Sequence, residues 1–136
     1  MAYWLIKSEP DAYSWAQMQQ DKRTHWSGVR NHQAAGNLRA MKIGDLAFFY
    51  HSNVGKEIVG IVEVAATAYP DPSDETKKFV MVDVAYKKSM PKPVTLAQMK
   101  SEKSLANLQL IKQSRLSVVP VRAEEWQKIM ALGGLK

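Results

Sequence analysis

The chain contains no cysteine, which excludes a disulfide framework and thiolate-based metal or redox chemistry. No apolar run approaches the roughly 20 residues that a membrane span needs. The N-terminus lacks the basic region and long apolar core of a signal peptide. We therefore expect a soluble, cytoplasmic protein without membrane contacts. The 136 residues, of which 46% are hydrophobic, predict a single domain (1–136) with a core of its own.

The sequence offers little for a metal ion or a catalytic site. The three histidines, His25, His32 and His51, have no spacing that a helix or hairpin would turn into a ligand set. No nucleophile-elbow pattern is present, and the adjacent side chains of His51 and Ser52 would diverge on a strand. The seven glycines are scattered and form no phosphate-binding loop. We predict no metal, no cofactor and no enzymatic activity.

Positive charge is concentrated in one stretch of the chain. The net charge is +6, and residues 77–115 hold nine Lys and Arg against two Asp and Glu, whereas residues 1–76 hold seven against nine. Contacts of Lys and Arg with phosphate give sequence-independent affinity for nucleic acid, and Lys87, Lys88 and Lys92 are candidates for such contacts. A solvated lysine-rich surface would produce the same bias.

The hydrophobic pattern predicts a mixed α+β domain in which strands dominate. Residues 21–29 are predicted to form a polar loop, and strict alternation of strand and helix is absent, so we expect about five or six strands in a small, strongly bent sheet or barrel. Apolar and β-branched runs predict strands at 2–7, 46–51, 58–64, 79–86 and 115–121. Capping and periodicity predict helices at 11–20 (Asp11 as N-cap), from 30 to about 41, within 95–109, and from Glu124 to Gly133.

Two segments carry the residue types that hold a flat heteroaromatic ring. Residues 26–31 (WSGVRN) combine an indole, a glycine turn, a guanidinium and an amide, and residues 3–10 (YWLIKSEP) contain a second indole. Stacking on an aromatic side chain contributes roughly 1–3 kcal/mol per base, whatever the base. Hydrogen bonds to the edge of the ring then choose among bases. The pattern indicates a nucleobase as the ligand.

The candidate residues also have structural interpretations. Tryptophans of small domains are usually core residues, and Trp15 and Trp126 are assigned to packing because they lie at helical spacing with other apolar residues. Trp26 lies in a polar stretch and Trp4 shares a strand face with Ser8, so both remain candidates for a binding surface. Asn31 fits a helix cap as well as it fits a partner for a base edge.

The other candidates lie at the ends of two predicted strands. His51 and Ser52 end the strand at 46–51, where both could be ordinary turn residues. Arg115 and Ser117 open the last strand, and the guanidinium could stack on a ring, bind phosphate or form a surface ion pair. None of these four residues decides the function alone.

Taken together, several segments resemble the EVE domain, the family related to thymocyte nuclear protein 1 and part of the PUA-like group that also holds the YTH readers. The matching segments occur in order over nearly the whole chain: YWLIKSEP (3–10), WSGVRN (26–31), MKIGDLAFFYHS (41–52), IVGIVEV (58–64) and QSRLSVVPV (113–121). The resemblance implies a PUA-like pseudo-barrel of about five or six mostly antiparallel strands with surrounding helices. It also implies a pocket for a modified base.

The resemblance assigns binding roles by position. Trp26 would form an aromatic wall, Asn31 and Ser8 would read polar edges, and Lys7 and Arg115 would meet phosphate near the mouth. The complete set of implied ligand-binding residues is Trp4, Lys7, Ser8, Trp26, Arg30, Asn31, His51, Ser52, Arg115 and Ser117.

The sequence departs from the family pattern at two places. Ala35-Gly36 stands where the family usually has Arg followed by a polar residue, and His32 stands where Tyr is common. These differences predict an altered choice of ligand or a reduced affinity for nucleic acid.

We expect a non-enzymatic, monomeric domain that captures a modified nucleobase of RNA or DNA, flipped or unpaired, in an aromatic pocket. Extrusion of a base costs a few kcal/mol and is easiest in single strands. Two alternatives stay open. One is an enzyme that acts on a modified nucleotide through His51 or a serine, and the other is a small-molecule or protein-interaction module that never meets nucleic acid.

Overall fold

The computed structural model describes residues 1–135, which contain six strands and five α-helices. The strands are β1 (Tyr3–Ser8), β2 (Arg23–Trp26), β3 (Leu46–His51), β4 (Glu57–Pro70), β5 (Val80–Thr95) and β6 (Val118–Val121). The helices are α1 (Trp15–Asp21), α2 (His32–Ala40), α3 (Leu96–Ser101), α4 (Gln109–Lys112) and α5 (Ala123–Leu132), with a 3-10 turn at Lys103–Leu105. No helix in this described part is long and apolar enough to cross a membrane.

All six strands belong to one mixed sheet with the order β2-β5-β4-β3-β1-β6. β1 runs parallel to β3, and the other neighbouring strands pair antiparallel. The predicted α+β class and the mostly antiparallel arrangement are confirmed. Hydrogen bonds do not join the two outer strands, β2 and β6, so the sheet stays open rather than closing into a complete barrel.

The centre of the core is β3, which is buried on both faces. Successive side chains of a strand point to opposite faces, so Phe48 and Phe49 serve two different layers. Phe48 stacks on Trp126 of α5 with 3.8 Å between ring centroids, while Phe49 meets Trp15 of α1 and Trp26 of β2 at 5.0 and 5.5 Å. The prediction that Trp15 and Trp126 are packing residues is confirmed.

The prediction of a loop over residues 21–29 is wrong for its first part. Lys22 ends α1 in a left-handed conformation, and the chain turns at once into β2. β2 pairs antiparallel with β5, so that Trp26 lies opposite Val82. Four residues are too few to show an alternating pattern, and this strand depends on the hydrogen bonds that β5 supplies.

Four other predicted boundaries are also wrong. α1 begins at Trp15 with Ser14 as its N-cap, whose Oγ accepts a hydrogen bond from the Gln17 amide at 3.0 Å, so Asp11 is not the cap. β4 and β5 run well past residues 64 and 86, and bulges in their pairing let these long strands bend around the core. The last strand begins at Val118, after Arg115 and Ser117.

Candidate functional site

A pocket of about 780 Å³ opens where the carboxyl end of β1 meets the segment that joins β2 to α2. The volume falls within the range of roughly 300–1,000 Å³ that is typical of small-molecule sites. Six of the ten predicted binding residues line this pocket: Lys7, Ser8, Trp26, Arg30, Asn31 and Ser117. Ser117, which directly precedes β6, lies beside the end of β1 because β1 and β6 are neighbours in the sheet and the Lys7 amide donates to the Ser117 carbonyl at 3.0 Å.

Trp26 lines the pocket. It is only 8% exposed, and its ring meets Phe49 and Tyr13 edge-on at centroid distances of 5.5 and 6.2 Å. The indole is therefore a core residue that also faces the pocket with a small part of its surface. The role of an aromatic wall, which the family resemblance implied for Trp26, stays a prediction.

Tyr13 adds a second aromatic surface that the sequence analysis did not identify. It lies in the turn before α1, and its hydroxyl donates to Asp21 Oδ2 at 2.7 Å. Burial and the hydrogen bond to this carboxylate raise the pKa of Tyr13 to about 12. The phenol is therefore neutral at physiological pH and presents an uncharged ring beside Trp26.

Ser8 and Lys7 line the pocket at the end of β1. Ser8 Oγ donates to the carbonyl of Tyr13 at 2.7 Å, which leaves the oxygen lone pairs available to a ligand donor. Lys7 Nζ donates to the carbonyl of Ser114 at 2.7 Å, and burial lowers the pKa of Lys7. Its ammonium group has two further N–H donors for a ligand.

Asn31 serves as a helix cap and lines the pocket at the same time. Its Oδ1 accepts a hydrogen bond from the amide of Ala34 at 3.0 Å, which fixes the start of α2. Both interpretations of this residue are therefore compatible, because the cap uses only the oxygen. The Nδ2 group of the same side chain is a donor that the cap leaves for a ligand.

Arg30 is held by a loop that the sequence did not connect to the site. Its Nη1 donates to Asp71 Oδ2 at 3.1 Å, its Nη2 donates to Ser73 Oγ at 2.9 Å, and the guanidinium lies 5.6 Å from the ring centre of Phe79. These contacts bind the β4–β5 loop to the pocket rim. Arg30 is thus a rim residue whose hydrogen bonds mostly serve the fold.

We call Asp71, with the groups it holds, the Asp71 clasp. Besides Arg30, the carboxylate accepts from the Gly28 amide at 2.8 Å, the Ser73 amide at 2.8 Å and the Ser73 hydroxyl at 2.6 Å. Gly28 has a φ of 83°, the left-handed conformation that favours glycine. Burial would raise the pKa of Asp71, but the hydrogen bonds from Ser73, Gly28 and Arg30 hold the pKa well below its ordinary value.

Trp4 and His51 are not part of the pocket lining. The indole Nε1 of buried Trp4 donates to Asp45 Oδ2 at 3.1 Å, so the residue that resembled a ligand-binding aromatic is a hydrogen-bonded core residue. His51 Nε2 accepts from the amide of Trp15 at 2.9 Å, and burial lowers the pKa of His51. Both rings are therefore held by hydrogen bonds to other parts of the protein.

Ser52 and Arg115 lie in depressions beside the pocket. One, of about 680 Å³, includes Lys7, Ser52, Lys56 and Arg115, and we call it the Lys56 depression. A smaller one, of about 360 Å³, includes Asn31, Lys112 and Arg115, and we call it the Lys112 depression.

The predicted phosphate contacts Lys87, Lys88 and Lys92 lie elsewhere. None of the three lines the pocket or either depression, within the part of the chain that is described. Lys87 Nζ is instead 3.4 Å from Glu63 Oε1. All three belong to β5, where they form part of its exposed surface.

The positions that depart from the family pattern also lie outside the pocket. Ala35 is fully buried on the inner face of α2, and Gly36 is exposed on the same helix. The ring of His32 stacks on Phe79 at 4.9 Å, next to Arg30. These residues therefore shape α2 and the Asp71 clasp, and the effect on ligand choice stays a prediction.

The sequence analysis missed Tyr13, Thr24 and His25, all of which line the pocket. Thr24 and His25 belong to β2, which had been predicted as loop, and Tyr13 had been assigned to a helix. The local sequence signal in this region was Gly28 with the helix-capping Asn31, which indicates a turn followed by the start of a helix. Across residues 1–135 no group of three or more His, Asp or Glu side chains is placed to hold a metal ion.

The fold is that of an α+β domain built on one open, bent, six-stranded mixed sheet. The EVE domain matches residues 2–132. Human thymocyte nuclear protein 1 is 34% identical over an alignment 165 positions long, which covers 96% of this chain and 73% of the human protein. The chain therefore belongs to the EVE domain family.

Solved structures share this fold over their whole length. A protein of Rhodopseudomonas palustris, determined by NMR, has a TM-score of 0.93 and 53% identity, covering 98% of this chain and 94% of that one. The human THYN1 protein in complex with DNA that contains 5-methylcytosine has a TM-score of 0.92 and 34% identity, covering 100% of this chain and 99% of that one.

Proposed function

We propose that this protein binds a modified base of DNA in the pocket that Trp26 lines, here called the base pocket. The similarity to human THYN1, which was solved with DNA that contains 5-methylcytosine, extends over the complete chain. The modified base proposed for this chain is accordingly a pyrimidine such as 5-methylcytosine.

The observation that carries the proposal is the combination of aromatic and polar groups in one pocket. Tyr13 and the small exposed part of Trp26 supply apolar aromatic surface, and such surface holds any base by stacking or edge contact. Ser8 Oγ can accept from an exocyclic amine such as that of cytosine, and Asn31 Nδ2 can donate to a ring acceptor. The pocket thus offers both a platform and a means of selection.

A base reaches such a pocket only when it leaves the stack. Unstacking and unpairing cost a few kcal/mol, and the cost is lowest for a base that is already unpaired. A pocket of about 780 Å³ has room for a base with its sugar at the mouth. We therefore propose that the ligand is an unpaired or flipped nucleotide.

We propose binding without catalysis. His51 would be the general base of an enzymatic alternative, but its Nε2 already accepts from the Trp15 amide, and the residue does not line the base pocket. General-base catalysis requires the base to reach the proton it removes. The enzymatic alternative therefore has no positioned proton acceptor in His51.

The experiment compares the affinities of two oligonucleotides that differ only in the methyl group of one central cytosine. Calorimetric titration of the protein is expected to give tighter binding of the methylated strand. In Asn31→Ser, the hydroxyl keeps the helix cap while the amide donor is lost, so the affinity is expected to fall about 5- to 10-fold, as for one hydrogen bond of about 1 kcal/mol, with little change in stability.

A conservative substitution of Trp26 provides a second test. Trp26→Phe keeps apolar volume in the core but reduces the flat surface, so it should lower affinity for both strands to a similar degree. Equal affinity of the natural protein for the two strands would refute the modified-base proposal. Tight binding to an RNA strand of the same sequence, but not to DNA, would replace DNA by RNA as the ligand.

A further inference from the structure

Two depressions adjoin the base pocket and share its rim. The Lys56 depression has Lys7, Glu9 and Ser117 in common with the base pocket, and the Lys112 depression has Asn31 in common with it. Both depressions therefore border the base pocket directly.

The segment from Gln113 to Ser117, between α4 and β6, forms the ridge that separates the two depressions. Ser114 and Arg115 line both of them, and Ser117 lines the base pocket as well as the Lys56 depression. The ridge is tied to β1 because Lys7 Nζ donates to the Ser114 carbonyl and the Lys7 amide donates to the Ser117 carbonyl. The base pocket and the two depressions thus meet along one short segment that is anchored to β1.

The charge of the two depressions is strongly positive. Their cationic residues are Lys7, Lys56, Lys112 and Arg115, and their acidic residue is Glu9. Glu9 Oε1 accepts from Asn53 Nδ2 at 3.2 Å, which satisfies part of the carboxylate within the protein. Within the described residues, Lys56, Lys112 and Arg115 are exposed and take part in no ion pair, unlike Lys87 or Lys128.

We propose that the two depressions hold the phosphates on the two sides of the nucleotide whose base fills the base pocket. The proposal rests on the proposed function and deepens it, because it names the substrate as an internal base of a single strand. A strand would enter over one depression, place one base beside Trp26 and leave over the other. Cationic side chains and hydroxyl groups such as Ser52 are the usual contacts of the phosphate backbone.

The proposal predicts that affinity depends on where the modified base lies in the strand. The test uses single-stranded oligodeoxynucleotides of equal length with one 5-methylcytosine at the centre, at the 5′ end or at the 3′ end, and the free nucleoside. The central position is expected to bind more tightly than either end, and both ends more tightly than the nucleoside. Equal affinity for the centre and for one end would overturn the proposal, because one depression would then carry no phosphate.

Charge neutralisation tests the same proposal through the salt dependence. The triple variant Lys56→Gln, Lys112→Gln, Arg115→Gln removes three cations around the base pocket. Each phosphate contact adds about 0.7 to the slope of log affinity against log salt for a single strand, so the slope should become shallower by about 2. At 0.1 M salt the same change corresponds to roughly 100-fold weaker binding.

A matched control changes the same number of charges on another surface. The triple variant Lys87→Gln, Lys88→Gln, Lys92→Gln alters exposed residues of β5 that line neither the base pocket nor the depressions. Its salt slope is expected to change by less than half as much. A control that weakens binding as strongly as the first variant would overturn the proposal. Circular dichroism and the thermal midpoint serve as the check that both variants are folded.

The proposed function and the phosphate proposal are refuted by different results. If the natural protein does not distinguish methylated from unmethylated strands, the proposed function fails. If it does distinguish them but the position of the base has no effect, the base pocket is retained and the phosphate proposal fails. In the first triple variant, an unchanged ratio of affinities for methylated and unmethylated strands is the expected result, since the base pocket itself is unaltered.

Discussion

The clearest structural prediction concerns Asp71, whose buried carboxylate joins the β4–β5 loop to the rim of the base pocket. Oδ2 accepts from the Gly28 amide and from Arg30, and Oδ1 accepts from the amide and hydroxyl of Ser73. In Asp71→Asn one oxygen becomes an NH₂ group. An NH₂ group in the Oδ2 position faces two donors, the Gly28 amide and Arg30. In the Oδ1 position it faces the Ser73 amide, while the Ser73 hydroxyl can turn and accept. The variant therefore loses at least one hydrogen bond, and those that remain no longer end on a charged group.

The size of the effect follows from the kind of hydrogen bond that is lost. Hydrogen bonds to charged groups contribute about 1.5–3 kcal/mol each. The Arg30 side chain is 39% exposed and can regain water, which reduces the loss. We expect Asp71→Asn to lower the free energy of unfolding by about 2–4 kcal/mol, which a domain of this size can tolerate while it stays folded.

Asp74 provides a matched control within the same loop. Its carboxylate also accepts four hydrogen bonds, but they come from Thr76, Lys78 and Phe79 and stay inside the loop. Urea unfolding should show losses of similar size for Asp71→Asn and Asp74→Asn. Amide hydrogen exchange should separate Asp71→Ala from Asp74→Ala, because only Asp71→Ala removes the acceptor of the Gly28 amide. Unchanged protection of Gly28 in Asp71→Ala would refute the role of the Asp71 clasp.

Three further predictions concern stability. Gly36→Ala, at an exposed position of α2 where an added Cβ meets nothing within 4 Å, should raise the urea midpoint through a gain of about 0.5–1 kcal/mol; a loss would contradict this. Gly60→Ala should lower the thermal midpoint sharply, because the new Cβ would overlap the indole of Trp15, and an unchanged midpoint would refute that contact. The free energy of unfolding should decrease as the pH is lowered below about 4, the ordinary pKa of an aspartate. The pKa of folded Asp74 is about 2, and hydrogen bonds hold the pKa of folded Asp71 well below its ordinary value. The unfolded chain therefore binds protons that these two groups do not bind when folded, and the loss should be smaller in Asp74→Asn.

The fold was largely predictable because its main elements carry strong local signals. β1, β3 and the final helix appear where runs of bulky residues and the periodicity of Trp126 and Ile129 indicated them. β2 could not be predicted in the same way. Its four residues contain one apolar side chain, and their strand conformation comes from pairing with β5, a partner about 60 residues away.

The candidate site was predictable only in part. Trp26, Asn31 and Ser8 could be named from side-chain chemistry and from the family resemblance, and the structure brings them together. Trp4 shows the limit of that reasoning, because its partner Asp45 lies 41 positions away and nothing in the local sequence indicates the hydrogen bond. The Asp71 clasp was missed for the same reason.

The most direct test of the central claim is a titration of ¹⁵N-labelled protein with a short single strand that contains one central 5-methylcytosine. Chemical-shift changes are expected at the indole N–H of Trp26, the amide of Gly28 and the side-chain amide of Asn31, with smaller changes around Lys56 and Lys112. The unmethylated strand should produce changes around the two lysines at higher concentration but weaker changes at Trp26. Shift changes confined to another surface, or identical changes for both strands, would contradict the assignment of the pocket as a modified-base site.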